Sequence, residues 1–161
     1  MPSDYYLLID GINGESQNDQ FPKYIELDSF SFGASNTADV GGKGLSAGKC
    51  NLSDFSFTCP MDSASWQIVK DLYAGAHVKS SKFVGCKAGG DKHTYKYLEV
   101  TMTNCYITSH STGGGSQGVP SQSVSIAYEQ IQFEYFTQDT TSGQTTSAGV
   151  ATYNIGTGVA T

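Results

Sequence analysis

Residues 24–33, Tyr24-Ile25-Glu26-Leu27-Asp28-Ser29-Phe30-Ser31-Phe32-Gly33, change the side on which their apolar residues fall. Ile25 and Leu27 share one parity and Phe30 and Phe32 the other, so a strand keeps one face apolar only if it bulges or bends near Asp28 and Ser29. The same switch recurs where Leu98, Val100 and Met102 give way to Cys105 and Ile107. It recurs again where Val124, Ile126 and Tyr128 give way to Ile131, Phe133 and Tyr135. Bulges repeated along long strands curl a sheet and close it. The sequence therefore predicts a mainly β protein, a single-domain closed β-barrel of two curved sheets with one flanking α-helix and long Gly-rich loops.

Outward from that stretch, Asp4 to Asp10 carries apolar side chains on both strand faces, Asn51 to Thr58 supplies Leu52, Phe55 and Phe57, and Lys82 to Ala88 supplies Val84 and Cys86. Turns are predicted at Asn13-Gly14 and Gly89-Gly90-Asp91. The helix is placed by Asp62 as N-cap, a stripe of Trp66, Val69, Leu72, Tyr73 and Ala76 that should pack on the barrel, and Gly75 as the stop. Asn36 to Lys49 and Ser109 to Pro120 are Gly-rich and apolar-poor, and read as protruding functional loops. Thr137 to Gly149 reads as a flexible Thr/Ser/Gly linker to a short C-terminal strand from Val150 to Ile155. All of residues 1–161 fall in one domain, long enough to bury roughly 70% of the unfolded surface.

The composition has 15% charged residues, 12% aromatics and 19 Gly, which fits an all-β globular protein. The net charge is -6 and all nine basic residues are Lys, so no guanidinium fork is present to grip phosphate or guanine, and nucleic acid is an unfavoured partner. Met1-Pro2-Ser3-Asp4 puts no basic segment ahead of an apolar stretch, and no apolar run approaches the roughly 20 residues that span a bilayer. Membrane insertion is not expected, and a protein that begins in the cytoplasm is. Cys50, Cys59, Cys86 and Cys105 have no metal-site spacing and read as reduced thiols, with Cys50 and Cys59 flanking one extended strand of about 30 Å that prevents their pairing.

Several short motifs lose their functional reading on inspection. Gly44-Leu45-Ser46-Ala47-Gly48 fits a nucleophile elbow, but the strand before it and the helix after it are missing, so Ser46 is not expected to be catalytic. The same stretch fails as a phosphate loop because Lys43 replaces the first Gly and Cys50 the magnesium-binding hydroxyl. Asp10 to Glu15 resembles a calcium loop, yet Ile12 stands where an oxygen ligand is required. Asn51-Leu52-Ser53 matches a glycosylation acceptor in a chain with no secretory leader pattern. No enzyme activity, cofactor or metal is expected.

Rings on the second face are more informative. Phe83 opposes Val84 in parity, Tyr95 and Tyr97 oppose Leu98, and Tyr5 and Leu7 lie on a strand apolar on both sides. Tyr5, Leu7, Phe83, Tyr95 and Tyr97 are therefore expected at a contact between subunits. With Phe30 and Phe32 in the core, Ser29 and Ser31 occupy a small polar face.

The order of these pieces resembles the haemolysin-coregulated protein (Hcp) family, the tube proteins of type VI secretion, over nearly the whole chain. The residues that carry the resemblance are Gly14-Glu15-Ser16, Ile25 through Gly33 ending in Phe30-Ser31-Phe32-Gly33, Ala47-Gly48-Lys49 and Asp54-Phe55-Ser56-Phe57-Thr58. Gly75-Ala76-His77, Lys87-Ala88-Gly89-Gly90, Tyr97-Leu98 and Ser111-Thr112-Gly113-Gly114 add to it. Cys86 departs from the family's usual Arg and Cys59 from its customary Lys, which bears on ring contacts rather than on fold. The resemblance implies homohexameric rings stacked into a hollow tube inside a contractile sheath on a baseplate. Such a tube is tipped by a spike protein, exported without a signal peptide, and in some members carries small effector proteins in its lumen. On that reading Ser29 and Ser31 face the lumen and its cargo, and Val40, Gly41, Gly42, Lys43, Gly44 and Leu45 form the ring-stacking loop. The main rival is a secreted carbohydrate-binding β-sandwich, against which the burial expected for the lone Trp66 counts.

Overall fold

In the computed structural model, which describes residues 3–39, 46–88, 94–139 and 144–161, the elements follow in chain order. They are β1 (Ser3–Ile9), β2 (Ile25–Leu27), β3 (Ser29–Ser31), β4 (Ala34–Asp39), β5 (Ser46–Leu52), β6 (Phe55–Pro60), α1 (Ser65–Ala74), β7 (Val78–Ala88), β8 (Thr94–Gly113), β9 (Ser121–Gln138), β10 (Thr145–Asn154) and β11 (Val159–Ala160). The main sheet runs β11-β10-β9-β8-β7-β1-β2, with β6 branching from β9 and carrying β3. All of its ladders are antiparallel.

The predicted bend falls at Asp28. There the chain leaves its pairing with β1 and takes up pairing with β6, and the Asp28 N–H donates to the Thr58 carbonyl at 2.8 Å. The barrel is thus completed by one bent strand with two partners. This corrects the expectation of a fully closed cylinder: among the described residues, no ladder joins β2 directly to β6. A sharp bend lets Ile25 and Leu27 and then Phe30 reach the same interior despite their opposite parity.

That interior is an aromatic stack. Phe30 lies 4.4 Å from Phe83 and 4.9 Å from Tyr5 between ring centroids, and Phe55 lies 5.3 Å from Phe83 and 6.2 Å from Phe57. Rings at such separations add edge and offset-stacking attraction to their buried area. Leu7, Phe83 and Val100 pair across β1, β7 and β8, and all three are fully buried. Leu7 and Phe83 therefore belong to the chain's own core and not to a subunit contact. Tyr5 turns its ring to the same core, and Tyr97 packs at its edge beneath the Lys87 ammonium. Tyr95 is half-buried.

The second face of β1 and β7 is covered by the chain itself. Tyr6, Val84 and Cys86 form a small cluster closed by Phe21 and Tyr24, with Tyr6 and Phe21 stacked at 5.3 Å. Two-faced apolarity here signals a crossing segment, residues 10–24, which turns at Asp10-Gly11 rather than at Asn13-Gly14.

Other expectations change as well. Residues 36–49 are largely a hairpin, β4 paired with β5 in a sheet of its own, with Val40, Gly41, Gly42, Lys43, Gly44 and Leu45 outside the described residues. A Cβ on Gly48 would lie 1.8 Å from the Thr37 carbonyl oxygen, so the hairpin's bulge near Thr37 requires a glycine there. Cys50 lies on β5 and Cys59 on β6, so the single strand expected between them is two strands. β8 continues to Gly113, making strand of what was read as loop from Ser109. The expected linker after Thr137 is hairpin, since β9 reaches Gln138 and pairs there with Thr145 of β10.

Helix α1 starts after a turn in which the Asp62 carboxylate accepts from Ala64 N–H at 3.0 Å and Ser65 Oγ accepts from Asp62 N–H at 3.0 Å. Ala64 occupies the N-cap position with no side-chain bond, so Asp62, expected as the N-cap, lies two residues ahead of it. The helix buries Ser65 and Ile68 and rests Leu72 on the core, leaving Trp66 63% and Tyr73 83% exposed. Its contact stripe is thus rotated from the one expected. Gly75, in the left-handed conformation at φ 61°, ends it.

All four cysteines are free thiols, with Cys59, Cys86 and Cys105 buried and Cys50 half-buried. Burial pushes Cys59 up to about 11, and Cys86 and the Tyr128 phenol up to about 12. The folded state therefore holds protons that the unfolded chain loses above about pH 9, so their contribution to stability is complete below that pH and declines as pH rises toward those values. Two outcomes are expected. A thiol reagent at neutral pH should modify Cys50 first and the other three only on unfolding, and denaturant midpoints should fall progressively above about pH 9.

Candidate functional site: a hydroxyl-lined sheet

Four strands carry a small-x-small pattern in which the middle residue points inward: Ser29-Phe30-Ser31, Ser56-Phe57-Thr58, Ser109-His110-Ser111 and Ser123-Val124-Ser125. The fold sets these strands side by side in the order β3-β6-β9-β8. Their register aligns the hydroxyls into two rows. One runs Ser31, Ser56, Ser125, Ser109, and the other runs Ser29, Thr58, Ser123, Ser111. Together they floor a shallow trough of about 450 Å³.

The hydroxyls bond to one another. Ser29 Oγ lies 2.6 Å from Thr58 Oγ1, and Ser56 Oγ lies 2.9 Å from Ser125 Oγ. Each such bond consumes one proton and leaves one O–H and several lone pairs facing outward, so the surface both donates and accepts while staying neutral. At one margin the Asp54 carboxylate accepts from Thr108 Oγ1 at 2.9 Å.

Beneath the rows the residues between the hydroxyls build the barrel interior. Phe57 and Val124 are buried, and Phe30 packs on the core. Gln122, 1% exposed, donates through Nε2 to Ser65 Oγ at 2.9 Å and to Cys59 Sγ at 3.2 Å. Its Oε1 is then the acceptor, so His110 Nε2–H donates to it at 2.9 Å. This buried network ties the far end of the hydroxyl sheet to the start of α1. Breaking it orphans groups that cannot reach water.

Ser29 and Ser31 are thus exposed on a common face, as expected from parity. The other six hydroxyls were missed because Ser109 to Ser111 was read as loop and the alternation in β6 and β9 was read only for its apolar half. Repetition of small-x-small in four segments was the available signal. Ser46 opens strand β5 and is followed by further strand, so the elbow geometry is not formed. Among the described residues no three His, Cys, Asp or Glu side chains gather as a metal site, and no helix is long and apolar enough to cross a membrane. Trp66 on the outer face of α1 is exposed with the Lys70 ammonium 5.9 Å from its ring, so the burial argument against sugar binding does not hold.

The chain is by class a mainly β, barrel-like protein that presents a broad uncharged sheet face. The family profile described as "Type VI secretion system effector, Hcp" matches residues 6–135. The chain belongs to the Hcp family of the type VI secretion system. It is 31% identical over 88 residues to Protein hcp1 of Pseudomonas aeruginosa, a match that covers 54% of this chain and 54% of that relative. A solved structure of a type six secretion system protein superposes with a TM-score of 0.91 at 27% identity, covering 99% of this chain and 100% of the other. Hcp1 from Salmonella typhimurium shares the fold, with a TM-score of 0.77 at 24% identity and 100% of both chains covered.

The energetic roles of the two layers should separate by substitution. Gln122→Ala should cost about 1–3 kcal/mol in urea unfolding, because His110 and Ser65 lose a buried partner. Ser123→Ala, on the exposed face, should change stability by no more than about 0.5 kcal/mol.

Proposed function

We propose that six copies of this chain close into a ring whose channel is walled by the hydroxyl sheet. Such rings would stack into the tube of a type VI secretion machine, and the protein acts structurally rather than catalytically. The observation that carries this reading is that the hydroxyl sheet has two free edges of opposite direction. Among the described residues β3 pairs only with β6, and β8 beyond Cys105 pairs only with β9. Successive antiparallel steps make β8 antiparallel to β3. The β3 edge of one copy therefore meets the β8 edge of the next in the same antiparallel sense as every ladder inside the chain. Such a contact joins two different surfaces, and a heterologous contact either closes as a ring or grows without limit. Unpaired strand edges of this kind recruit further strands.

Family membership supports the remaining parts. The β4–β5 hairpin, held at its base by Gly33 and Ser53 through bonds of 2.8 to 3.0 Å, forms a sheet separate from the barrel. Its connecting residues, Val40, Gly41, Gly42, Lys43, Gly44 and Leu45, are proposed to contact the next ring. Weak contacts repeated around a ring act together, because each engagement raises the effective concentration of the rest. Ser29 and Ser31 then face small effector proteins in the lumen. The spike at the tip, the contractile sheath and the baseplate are the other partners. Assembly takes place in the cytoplasm and export through the machine itself, without insertion of this chain into a membrane.

Cysteine pairs test the seam. Within one chain β6 and β9 separate Ser31 from Ser109, and Ser29 from Ser111, by about 14 Å, beyond disulfide reach, so a bridge between them must join two copies. Double variants pairing Ser29→Cys or Ser31→Cys with Ser109→Cys or Ser111→Cys, in a Cys50→Ser background, should give on oxidation a covalent ladder ending at six chains. A monomer by native mass spectrometry would overturn the ring, whereas intact hexamers with no ladder from any pair would place the seam elsewhere.

A further inference from the structure

We infer that the hydroxyl face is indifferent to the charge of what passes it, so the channel selects passengers by size and not by electrostatic attraction. This rests on the reading that the face lines the channel.

The two rows hold only Ser and Thr at outward positions on all four strands, and no Lys, Asp or Glu interrupts them. The chain does carry charge, a net -6 with 15% charged residues, but none of it falls on these two rows. The carboxylates nearest the rows are exposed Asp28, next to Ser29, and exposed Asp54, two residues before Ser56, so both lie at the margins of the rows and not within them. Glu99 is clamped by Lys82 and Lys96 on the β7–β8 face, and Asp54 at the trough margin is occupied by Thr108. Each row is about 14 Å across, from three strand spacings of about 4.8 Å. Its middle lies about 7 Å from either flank, close to the screening length of about 8 Å at physiological ionic strength, so carboxylates at the margins act there only after partial screening by salt.

Neutrality alone would not prevent adhesion, because an unpartnered hydroxyl binds any polar surface. Here Ser29 with Thr58 and Ser56 with Ser125 satisfy each other in part, and all four are exposed or half-buried. A passenger's polar group gains little by replacing a water on such a hydroxyl, since the exchange conserves hydrogen bonds. Nor does an apolar patch find a partner, because the rings of Phe30 and Phe57 lie on the opposite side of the sheet. The wall neither pulls in a charged passenger nor holds a greasy one.

The test uses assembled rings and dextrans of one hydrodynamic size in neutral, carboxymethyl and diethylaminoethyl forms, with entry into the channel read by fluorescence correlation. At about 0.05 M salt the three should partition within about twofold of one another, with little change at about 1 M. Ser56→Lys with Ser125→Lys should create an enrichment of the carboxymethyl form that salt abolishes. A difference of about tenfold between charged forms of the unaltered ring, collapsing at high salt, would overturn the inference. Failure of the underlying reading looks different. Ser31→Cys would then react with a maleimide polymer too large for the channel as fast as Tyr73→Cys on the outer helix does. Protection of Ser31→Cys together with charge selection would sink the charge indifference alone.

Discussion

The β8–β9 ladder is the constraint on which the rest of the structure depends. Its strands are 20 and 18 residues long and pair from Leu98 with Tyr135 to Gly113 with Ser121. Among the described residues no other strand is long enough to cover either one alone. The second edge of β9 is therefore shared, by β6 along its first part and β10 along its last, and β7 covers β8 only as far as Cys105. Two regions of different character result from one continuous pair: a barrel with its hydroxyl sheet at one end, and a wing of β9, β10 and β11 at the other.

Each end solves a different burial problem. Where β6 and the bent strand β2–β3 close over β9, the inward residues meet Phe30, Phe55 and Phe83 and are sealed from water. Where β10 continues without a covering layer, the same inward parity leaves Phe133 39% and Tyr135 43% exposed beside an apolar groove that Phe32, Cys50, Leu52 and Tyr153 share. An antiparallel sheet can leave one face wet at modest cost when that face is polar. The hydroxyl rows meet that condition and the wing does not, which marks the two as different kinds of surface.

The same economy explains why the hydroxyl sheet can be both regular and soluble. Serine and threonine at alternate positions keep the outward face free of long side chains, so the register of the sheet is carried by the inward set, including Phe57, Val124 and the Gln122 network. A slip of β6 by one residue would bury Ser56 and Thr58 and expose Phe55 and Phe57. Free edges on such a sheet are an aggregation hazard unless they are consumed by a specific partner. A ring of identical chains consumes them completely, since each copy offers one edge of each kind. The edges are short, which limits pairing with unrelated strands.

How much of this was legible from residues alone differs by feature. Local alternation was enough for the mainly β architecture, for the bend at Asp28, for the helix ending at Gly75 and for Ser29 and Ser31 sharing a face, because parity and turn chemistry act within a few residues. The motifs from Gly14 to Gly114 were enough for the family. Only the tertiary structure decided which of two apolar faces of β1 and β7 holds the main core, because Leu7 with Phe83 and Tyr6 with Val84 are equally buried and only residues 10–24 tell them apart. It also decided that Trp66 points outward, that residues 36–39 and 46–49 are strand, and that four separate small-x-small segments form two straight rows. Those outcomes depend on pairing between segments far apart in the chain, and pairing register is set by how the whole interior fills, not by any one segment's own pattern.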